Sequence, residues 1–440
     1  MKKLLLCSAS VLGLAFATSA WADSATVYLN QTGDAQSATI DQSGNGNTVG
    51  SSGASFTQEN GYDGSAGGNV VTIGQTGQSN SVSGYQSGEG NNAVLTQSGA
   101  YSGIVLQQYG AGNGVFSPSL GGWTNSNSYG SIVQDSSSYY SNTTVTQNGT
   151  NNVFDIGQGN NNNTITLAQS SEGYGSAAYI RQGTQYNTWD QNGVYFPGGG
   201  AYNTINVQQS TAGYSYNYVV AGQGGGNWNN LTITQNGDWL AADVIQAGNN
   251  NTAIVSQSGD TQIVGMPADG SIDTPFLQNG NGNNFAANQY GSTNVLNGAQ
   301  NGNANSIVSS QNNGSTAALY QNGDNNNISS SQTGGATLTA TQNASWSIGN
   351  YLLNNQTGNS TATITQTSLS YGSGNSINNG QSDYAYATLT QNGSGNTITA
   401  SQAGGAFGAA NTASVTQTSN SNSATYTQSG TGLSATITQH

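Results

Sequence analysis

One short pattern recurs through almost the whole chain after residue 25. It consists of Gln-x-Gly-x-x-Asn, followed by a short segment that ends in another Gln eleven residues after the first. Residues 246–257 (QAGNNNTAIVSQ) show the pattern in full. Repetition at such a regular short interval predicts a structure made of stacked copies.

The residues of each repeat alternate strictly in character. Asn251, Ala253, Val255 and Gln257 share one parity, whereas the other parity holds mainly Thr, Ser and Asn. A period of two over seven residues predicts a strand with one buried face, and it excludes helices outside the N-terminal leader. The same phase predicts an inward ladder of amide side chains at Asn163, Gln169, Asn229, Gln235, Gln246, Asn251, Gln257, Asn305, Gln311, Asn396, Gln402, Gln428 and Gln439.

Glycine follows many of the terminal glutamines at a spacing of two. Glycine supplies the positive φ that a tight reversal requires, and the flanking Asn residues tolerate the left-handed conformation well. The pattern therefore predicts a strand, an arc and a strand in repetition. The predicted turn glycines are Gly88, Gly149, Gly237, Gly248, Gly323 and Gly393.

A second type of strand, exemplified by Ala242, Val244 and Gln246, lacks the leading Asn and alternates with the first type. Two half-repeats would form one rung of about 22 residues, giving about 17 to 19 rungs. The predicted fold is all-β, a β-solenoid of stacked strand-arc-strand rungs with amyloid-like cross-β spacing of about 4.8 Å. Like positions would then superpose into Gln, Asn and aliphatic ladders.

Composition alone suggests a different interpretation, a disordered tract rich in Gly, Asn, Gln and Ser. The phase-locked alternation argues against it. Stacked amides can satisfy one another by hydrogen bonding inside a narrow core, which a disordered tract does not require.

The joint spacing of Gln, Gly and Asn resembles the curlin repeat, the building block of bacterial curli fibres. The likeness is strongest at 231–257, 289–332, 387–402 and 414–439, and the chain would be an unusually long member of that family. The resemblance implies an extracellular subunit that polymerises with itself into amyloid fibres for the biofilm matrix and cell adhesion, in the manner of a pilus. It also implies a nucleator subunit and a curli-type outer-membrane secretion pore as partners.

The first 22 residues have the features of a signal peptide. Lys2 and Lys3 precede an apolar stretch at 4–17, and Ala20-Trp21-Ala22 provides a small-residue cleavage site. We therefore expect Sec-dependent export, a repeat array at 23–440, and loss of Cys7 with the leader. The apolar stretch is too short to span a membrane, and no later segment is apolar enough.

Charge excludes nucleic acid as an electrostatic partner. The chain has 17 acidic and three basic residues, and removal of the leader would leave Arg181 as the only basic one. Binding to phosphates requires a basic surface. With 5% charged residues, the chain has little self-repulsion and few charged residues to protect its strand edges, which permits self-association.

Seven segments interrupt the eleven-residue period, and all four prolines lie inside them: Pro118, Pro197, Pro267 and Pro275. Proline cannot donate to a strand ladder, so these segments are predicted to be insertion loops. They are either tolerated excursions or a sugar-binding, adhesive surface, since they also gather aromatic residues. The segments are 59–69, 114–133, 193–202, 260–277, 343–351, 367–374 and 403–410.

The residues of common catalytic sites are scarce. His440 is the only histidine, and the nearest acidic pairs are Asp238 with Asp243 and Asp269 with Asp273. General acid–base catalysis at neutral pH most often uses histidine. Dinucleotide-binding glycine motifs and calcium-binding nonapeptides are missing as well, so we expect no enzyme activity, cofactor or metal.

Three functions are consistent with the pattern. The first is a structural amyloid subunit, which would grow at the uncapped C-terminal strand containing Ala435 and Ile437. The second is a monomeric solenoid that acts as a surface adhesin or carbohydrate-binding protein. The third is an ice-binding solenoid, which the sequence favours least because outward Thr-x-Thr pairs such as Thr363 and Thr365 do not recur on every rung.

Overall fold

A computed structural model describes residues 24–59, 68–114, 130–171, 175–183, 188–189, 195–196, 198–211, 217–265, 275–344, 348–368 and 373–440. In these residues the regular structure is entirely β, with no helix. The predicted signal peptide, three of the four prolines (Pro118, Pro197 and Pro267) and the pair Asp269 and Asp273 lie outside the described residues.

The chain divides into two units. The N-terminal unit contains residues up to Trp228 together with Thr234–Trp239, and the C-terminal unit contains Asn229–Ile233 and Leu240–His440. Each unit has two parallel sheets, which we call its A sheet and its B sheet. The strand Asn230–Asp238 is divided between the units.

In the N-terminal unit, the A-sheet strands are Thr26–Val27, Leu29–Thr32, Thr48–Val49, Phe56–Glu59, Ser81–Glu89, Gly103–Ala111, Asn142–Thr150, Thr164–Ser171 and Thr204–Thr211. The B-sheet strands are Ser37–Gln42, Val70–Gln75, Asn92–Gln97, Ser131–Gln134, Val153–Gln158, Ala177–Gln182 and Tyr218–Gly224. A separate antiparallel pair joins Thr188–Trp189 and Tyr195–Phe196.

In the C-terminal unit, the A-sheet strands are Thr252–Asp260, Asn284–Ser292, Ser306–Asn312, Asn327–Thr333, Tyr351–Thr357, Ser376–Asp383, Thr397–Gly405 and Ser423–Ser429. The B-sheet strands are Ala241–Ala247, Ile263–Val264, Phe276–Asn279, Val295–Asn301, Thr316–Asn322, Thr337–Ala344, Thr361–Ser368, Ala385–Asn392, Asn411–Gln417 and Ser434–Gln439.

Consecutive strands of each sheet pair in parallel and in register, so that Gln lies beside Gln, as Gln311 does beside Gln332. One irregularity follows Gln381 in the pairing with Thr397–Gly405. The β-solenoid prediction is therefore confirmed. Over the described residues there are about 15 turns, about 24 residues apart. The rungs are slightly longer and fewer than predicted, because inserted residues lengthen some of them.

The core lies between the A and B sheets of each unit. In Thr252–Asp260, Ala253, Val255 and Gln257 are buried, whereas the exposed Ile254 lies on the outer face. Phe276 and Phe285 stack across the core with centroids 3.5 Å apart. Alternation thus places a thin apolar stripe inside each rung, with an amide at its end.

The prediction of one buried face is wrong for two strands. Tyr218–Gly224 is buried along its whole length, and Ala241–Ala247 is buried at all but its end residues. Their outward positions hold apolar side chains such as Val220 and Ile245, which have almost no exposed surface. Both faces of these strands are covered, so the alternation of apolar and polar residues does not indicate which side chains are buried there.

The insertion loops are shorter than predicted where the structure describes them. The strand Ile263–Val264 lies inside the predicted loop 260–277 and Phe276–Asn279 begins inside it, and Ser131–Gln134 begins inside 114–133. In 403–410, a turn closed by a bridge between Ala406 and Ala409 leaves Phe407 87% exposed. Strands continue to pair in places where the eleven-residue sequence pattern is already lost. This is possible because main-chain hydrogen bonds do not require the residues of the repeat.

Candidate functional site

The inward glutamines form continuous chains of hydrogen bonds along each sheet. Nε2 of Gln246 donates to Oε1 of Gln278, 2.7 Å away, and to the main-chain oxygen of Asn230 at 3.1 Å. Gln278 repeats this arrangement with Gln300 and with the main-chain oxygen of Thr252. Each amide therefore connects its rung to the next one and also connects the B sheet to the A sheet.

The glutamine ladders are polar. In every glutamine pair described, Nε2 of the earlier residue donates to Oε1 of the later one, so all donors point towards the C-terminal rungs. In the C-terminal unit, one ladder contains Gln257, Gln289, Gln311, Gln332, Gln356, Gln381, Gln402 and Gln428. The other contains Gln246, Gln278, Gln300, Gln321, Gln342, Gln366, Gln391, Gln417 and Gln439.

The N-terminal unit repeats the same polarity. Its A-sheet ladder contains Gln31, Gln58, Gln86, Gln108, Gln147, Gln169, Gln209 and Gln235. Its B-sheet ladder contains Gln42, Gln75, Gln97, Gln134, Gln158, Gln182 and Gln223. All the glutamines named in the sequence analysis therefore lie in a ladder.

The inward asparagines stabilise the arcs. Oδ1 of Asn251 accepts a 3.0 Å hydrogen bond from the main-chain nitrogen of Asn283. Nδ2 of Asn251 donates to the main-chain oxygens of Ala247 and, on the next rung, Gly280. Asn163, Asn229 and Asn305 are buried and make equivalent contacts with the next rung.

Asn396 departs from this arrangement. Its Oδ1 accepts from the main-chain nitrogen of Asn422, but its buried Nδ2 has no hydrogen-bond partner among the described residues. Nδ2 of Asn163, Asn229, Asn251 and Asn305 donates to the main-chain oxygen of an arc glycine on the following rung. Here Ser419 takes the place of that glycine, since it lies above Gly393.

The predicted turn glycines have positive φ angles and are also closely stacked. Gly248 has φ 99°, and a Cβ on it would lie 2.1 Å from the main-chain oxygen of Gly280. Gly88, Gly149, Gly323 and Gly393 have equally tight neighbours on the following rung. Gly237 also has positive φ, at 137°. These positions therefore exclude side chains because of both the backbone angle and the rung spacing.

The last strand, Ser434–Gln439, has an open edge. It pairs with Asn411–Gln417, and in the described residues no other strand pairs with it. Ala435, Ile437 and Gln439 are only half-buried, whereas Val415, the neighbour of Ile437 on the preceding rung, is fully buried. Gln439, the last glutamine of the B-sheet ladder, lies on this strand and accepts a 2.7 Å hydrogen bond from Nε2 of Gln417. Within the described residues, the second edge of this strand therefore presents half a core and backbone groups that pair with no strand.

The inward column of the A sheet contains polar residues that the sequence analysis did not identify. Nδ2 of Asn354 donates to Oγ of Ser330 and to Oε1 of Gln356, and Nδ2 of Asn379 donates to Oδ1 of Asn354. All of these side chains are buried. Their burial is tolerated because the donors have partners. These residues have the same parity as the inward residues of their strands, and this position in the sequence could have identified them.

The same column ends at Tyr426, which is 8% exposed. Its hydroxyl has no hydrogen-bond partner in the described part of the chain. Burial raises the pKa of Tyr426 well above its ordinary value, because the phenolate would lose its hydration.

Stacked aromatic residues on the arcs of the N-terminal unit were also missed. Tyr101 and Tyr140 stack with centroids 5.2 Å apart, and Tyr202 and Trp228 stack at 4.4 Å. All four have positive φ and project into solvent. The sequence signal was an aromatic residue followed by the Asn or Ser that directly precedes the next strand.

Charge contributes little to the described structure. Arg181 pairs with Asp155 at 2.9 Å and lies over the ring of Tyr179. Asp243 is fully buried, so its carboxylate cannot reach a dissolved substrate together with Asp238. No cluster of metal-ligating side chains was found among the described residues. In that part of the chain there is also no helix long and apolar enough to cross a membrane.

A comparison of the sequence with known families agrees with this repeat geometry. The model of the curlin associated repeat matches residues 226–259 and 408–440. These two stretches of the chain are curlin associated repeats. The first match contains Gln235, Gln246 and Gln257, and the second contains Gln417, Gln428 and Gln439, so both include ladder glutamines. A search of curated proteins found no match. Curlin-repeat proteins are structural subunits that assemble into extracellular fibres.

Proposed function

We propose that this curlin-repeat protein is a secreted subunit that assembles with itself into curli-like amyloid fibres, which support the biofilm matrix and cell adhesion. The observation that carries the proposal is the identity of the contacts between rungs. Each rung presents Gln Nε2 donors and Asn Oδ1 acceptors towards the following one. Because these contacts require only another copy of the repeat, a rung of a second chain can supply them.

The open edge at Ser434–Gln439 supports growth by addition. A chain arriving there covers the half-buried Ile437 and pairs the free backbone groups of the strand. Extension adds rungs to an existing ladder and avoids forming a new nucleus, so growth is faster than initiation. The first B-sheet strand of the arriving chain, Ser37–Gln42, has half-buried Ile40 and Gln42, which can meet this edge.

We further propose that residues 1–22 direct Sec-dependent export and are removed, so that assembly occurs outside the cell. A nucleator subunit and a curli-type outer-membrane pore would then be the partners of secretion. The proposal predicts that the purified chain without residues 1–22 polymerises after a lag and that preformed fragments abolish the lag. A lag unchanged by such fragments would contradict templated growth.

A monomeric adhesin that binds carbohydrate remains the second candidate. The exposed aromatic pairs Tyr101 with Tyr140 and Tyr202 with Trp228 favour it, because aromatic faces stack on sugar rings. Trp228 is 59% exposed, so Trp228→Ala should be tolerated by the fold. Loss of binding to an insoluble polysaccharide in this variant, in a protein that does not polymerise, would favour the adhesin over the fibre subunit.

A further inference from the structure

The outer face of the B sheet in the C-terminal unit carries a regular array of hydroxyl groups. Five consecutive strands lie in register there, from Thr337–Ala344 to Ser434–Gln439, without a shift in pairing. Each contributes three outward residues. We call these fifteen positions the threonine grid: Thr337, Thr339, Thr341, Thr361, Thr363, Thr365, Tyr386, Thr388, Thr390, Thr412, Ser414, Thr416, Ser434, Thr436 and Thr438.

Thr-x-Thr pairs do not recur from each strand to the next along the chain, which is why an ice-binding surface was the least favoured interpretation of the sequence. Thr-x-Thr pairs are missing from many intervening strands, such as Tyr351–Thr357, but those strands belong to the A sheet. Parallel pairing brings together strands that are two half-repeats apart. On the B sheet, Thr-x-Thr pairs therefore do recur on successive rungs. Their irregular spacing along the sequence is thus no argument against ice binding by this face.

The grid is spaced regularly in two directions. Neighbouring rungs lie about 4.8 Å apart and outward residues about 6.8 Å apart along a strand, so the grid measures roughly 19 by 14 Å between its outermost positions. Threonine is β-branched and restricted at χ1, which gives the hydroxyl and methyl groups of successive rungs similar orientations. The buried glutamines of these strands, such as Gln366 and Gln391, tie the rungs together from behind.

The hydroxyl groups of the grid are available. None of them makes a hydrogen bond to another group among the described residues, and all fifteen side chains are half-buried or exposed. The surroundings are almost uncharged, since Asp383 is the only Asp, Glu, Lys or Arg between residues 325 and 440. The grid therefore suits a neutral partner that both accepts and donates hydrogen bonds at regular intervals.

We propose that the threonine grid binds ice. The rung spacing lies close to the oxygen repeat along the a axis of hexagonal ice, and a water lattice can bond each hydroxyl while its cages enclose the methyl groups. A second copy packed face to face would have to supply a hydrogen-bond partner for each buried hydroxyl group, since an unpaired one is costly. A surface that binds a polysaccharide would be expected to carry rows of aromatic residues, but Tyr386 is the only aromatic residue among the fifteen positions of the grid.

The test is inhibition of ice recrystallisation by the purified full chain, before assembly and again as fibres. We expect the wild-type protein to inhibit crystal growth and to shape single ice crystals. Thr388→Lys, at the centre of the grid, should raise the protein concentration that inhibits recrystallisation about tenfold. This factor corresponds to a loss of about 1.4 kcal/mol in the free energy of binding to ice. Thr399→Lys adds the same charge on the outer face of the A sheet and should leave the activity unchanged.

Thr363→Lys provides a second grid variant on the preceding rung, and circular dichroism must show that each variant retains its β-structure. Absence of ice activity in the wild-type protein would overturn the proposal. Equal loss from Thr388→Lys and Thr399→Lys would also overturn it, because the B-sheet face would not be the site. Retention on crystalline cellulose that depends on Thr388, without any effect on ice, would assign the grid to a sugar surface instead.

Discussion

Nε2 of Gln257 donates a 2.8 Å hydrogen bond to Oε1 of Gln289 on the next rung and a 3.0 Å bond to the main-chain oxygen of Ala241 across the core. One amide thus stabilises the stack in two directions. The same two bonds recur at Gln246, Gln278 and Gln402. We therefore expect folding and assembly to depend on these inward glutamines.

Loss of a ladder amide should destabilise the protein more than loss of an outward polar group. Gln257→Ala leaves Oε1 of Gln289 and the oxygen of Ala241 without this donor, so we expect a loss of about 1–3 kcal/mol in the free energy of unfolding. The neighbouring Ser256→Ala, on the outer face, should change it by less than about 0.5 kcal/mol. Urea unfolding of freshly purified protein measures both, and equal effects would exclude the ladder assignment.

Glycine at the arc should be required for stacking as well as for its backbone angle. Gly248→Ala places a Cβ 2.1 Å from the oxygen of Gly280, whereas Gly282, also at positive φ, has open space around it. Both alanine variants suffer the left-handed penalty of about 1–2 kcal/mol. Gly248→Ala should lose clearly more stability in the same unfolding experiment. If Gly282→Ala is as damaging, the rung spacing does not constrain Gly248.

Alkaline pH should destabilise the rung that contains Tyr426. Burial raises the pKa of this phenol above its ordinary value of 10.0, so the folded state binds the proton more tightly than the unfolded state does. The contribution of the protonated Tyr426 to the free energy of unfolding is therefore fully present below pH 10, and it falls as the pH rises above 10. Tyr426→Phe should remove this part of the pH dependence and also the unpartnered buried hydroxyl. Unfolding curves between pH 8 and 11 that coincide for both proteins would contradict the burial of Tyr426.

The strand phase could be predicted from sequence because it depends on local chemistry. Asn251, Val255 and Gln257 are inward by alternation, and the neighbouring Gly248 has the positive φ that its position in the arc suggests. The pairing of alternate half-repeats is a long-range property. Thr363 lies beside Thr388 on the next rung, and this neighbour relation does not follow from local alternation, although both residues have the outward parity.

Other features depended on packing that alternation does not describe. Val220 and Ile245 are buried on outward positions because both faces of their strands are covered. Asn354 and Asn379 occupy the core because each finds an amide or hydroxyl partner on its own rung or the preceding one. Such partners are defined only once the rungs are aligned.

Disruption of the open edge should slow growth without unfolding the interior. Ile437 is half-buried at this edge, and the main chain of Ser434–Gln439 pairs on one side only, within the described residues. Ala435→Lys combined with Ile437→Pro adds a charge and removes a backbone donor, which are known protections of strand edges. Elongation of wild-type seeds by the variant chain, observed at single fibres, should be lost or strongly reduced. Wild-type rates at both ends would exclude growth through this strand.

The central claim is that this curlin-repeat protein forms fibres by stacking its rungs. X-ray diffraction from aligned fibres, grown from the purified chain without residues 1–22, tests it most directly. The account predicts a sharp meridional reflection near 4.8 Å, from strands stacked along the fibre axis, with an equatorial reflection near 10 Å from the facing sheets. A protein that stays monomeric throughout incubation, or fibres whose 4.8 Å reflection lies on the equator, would contradict it.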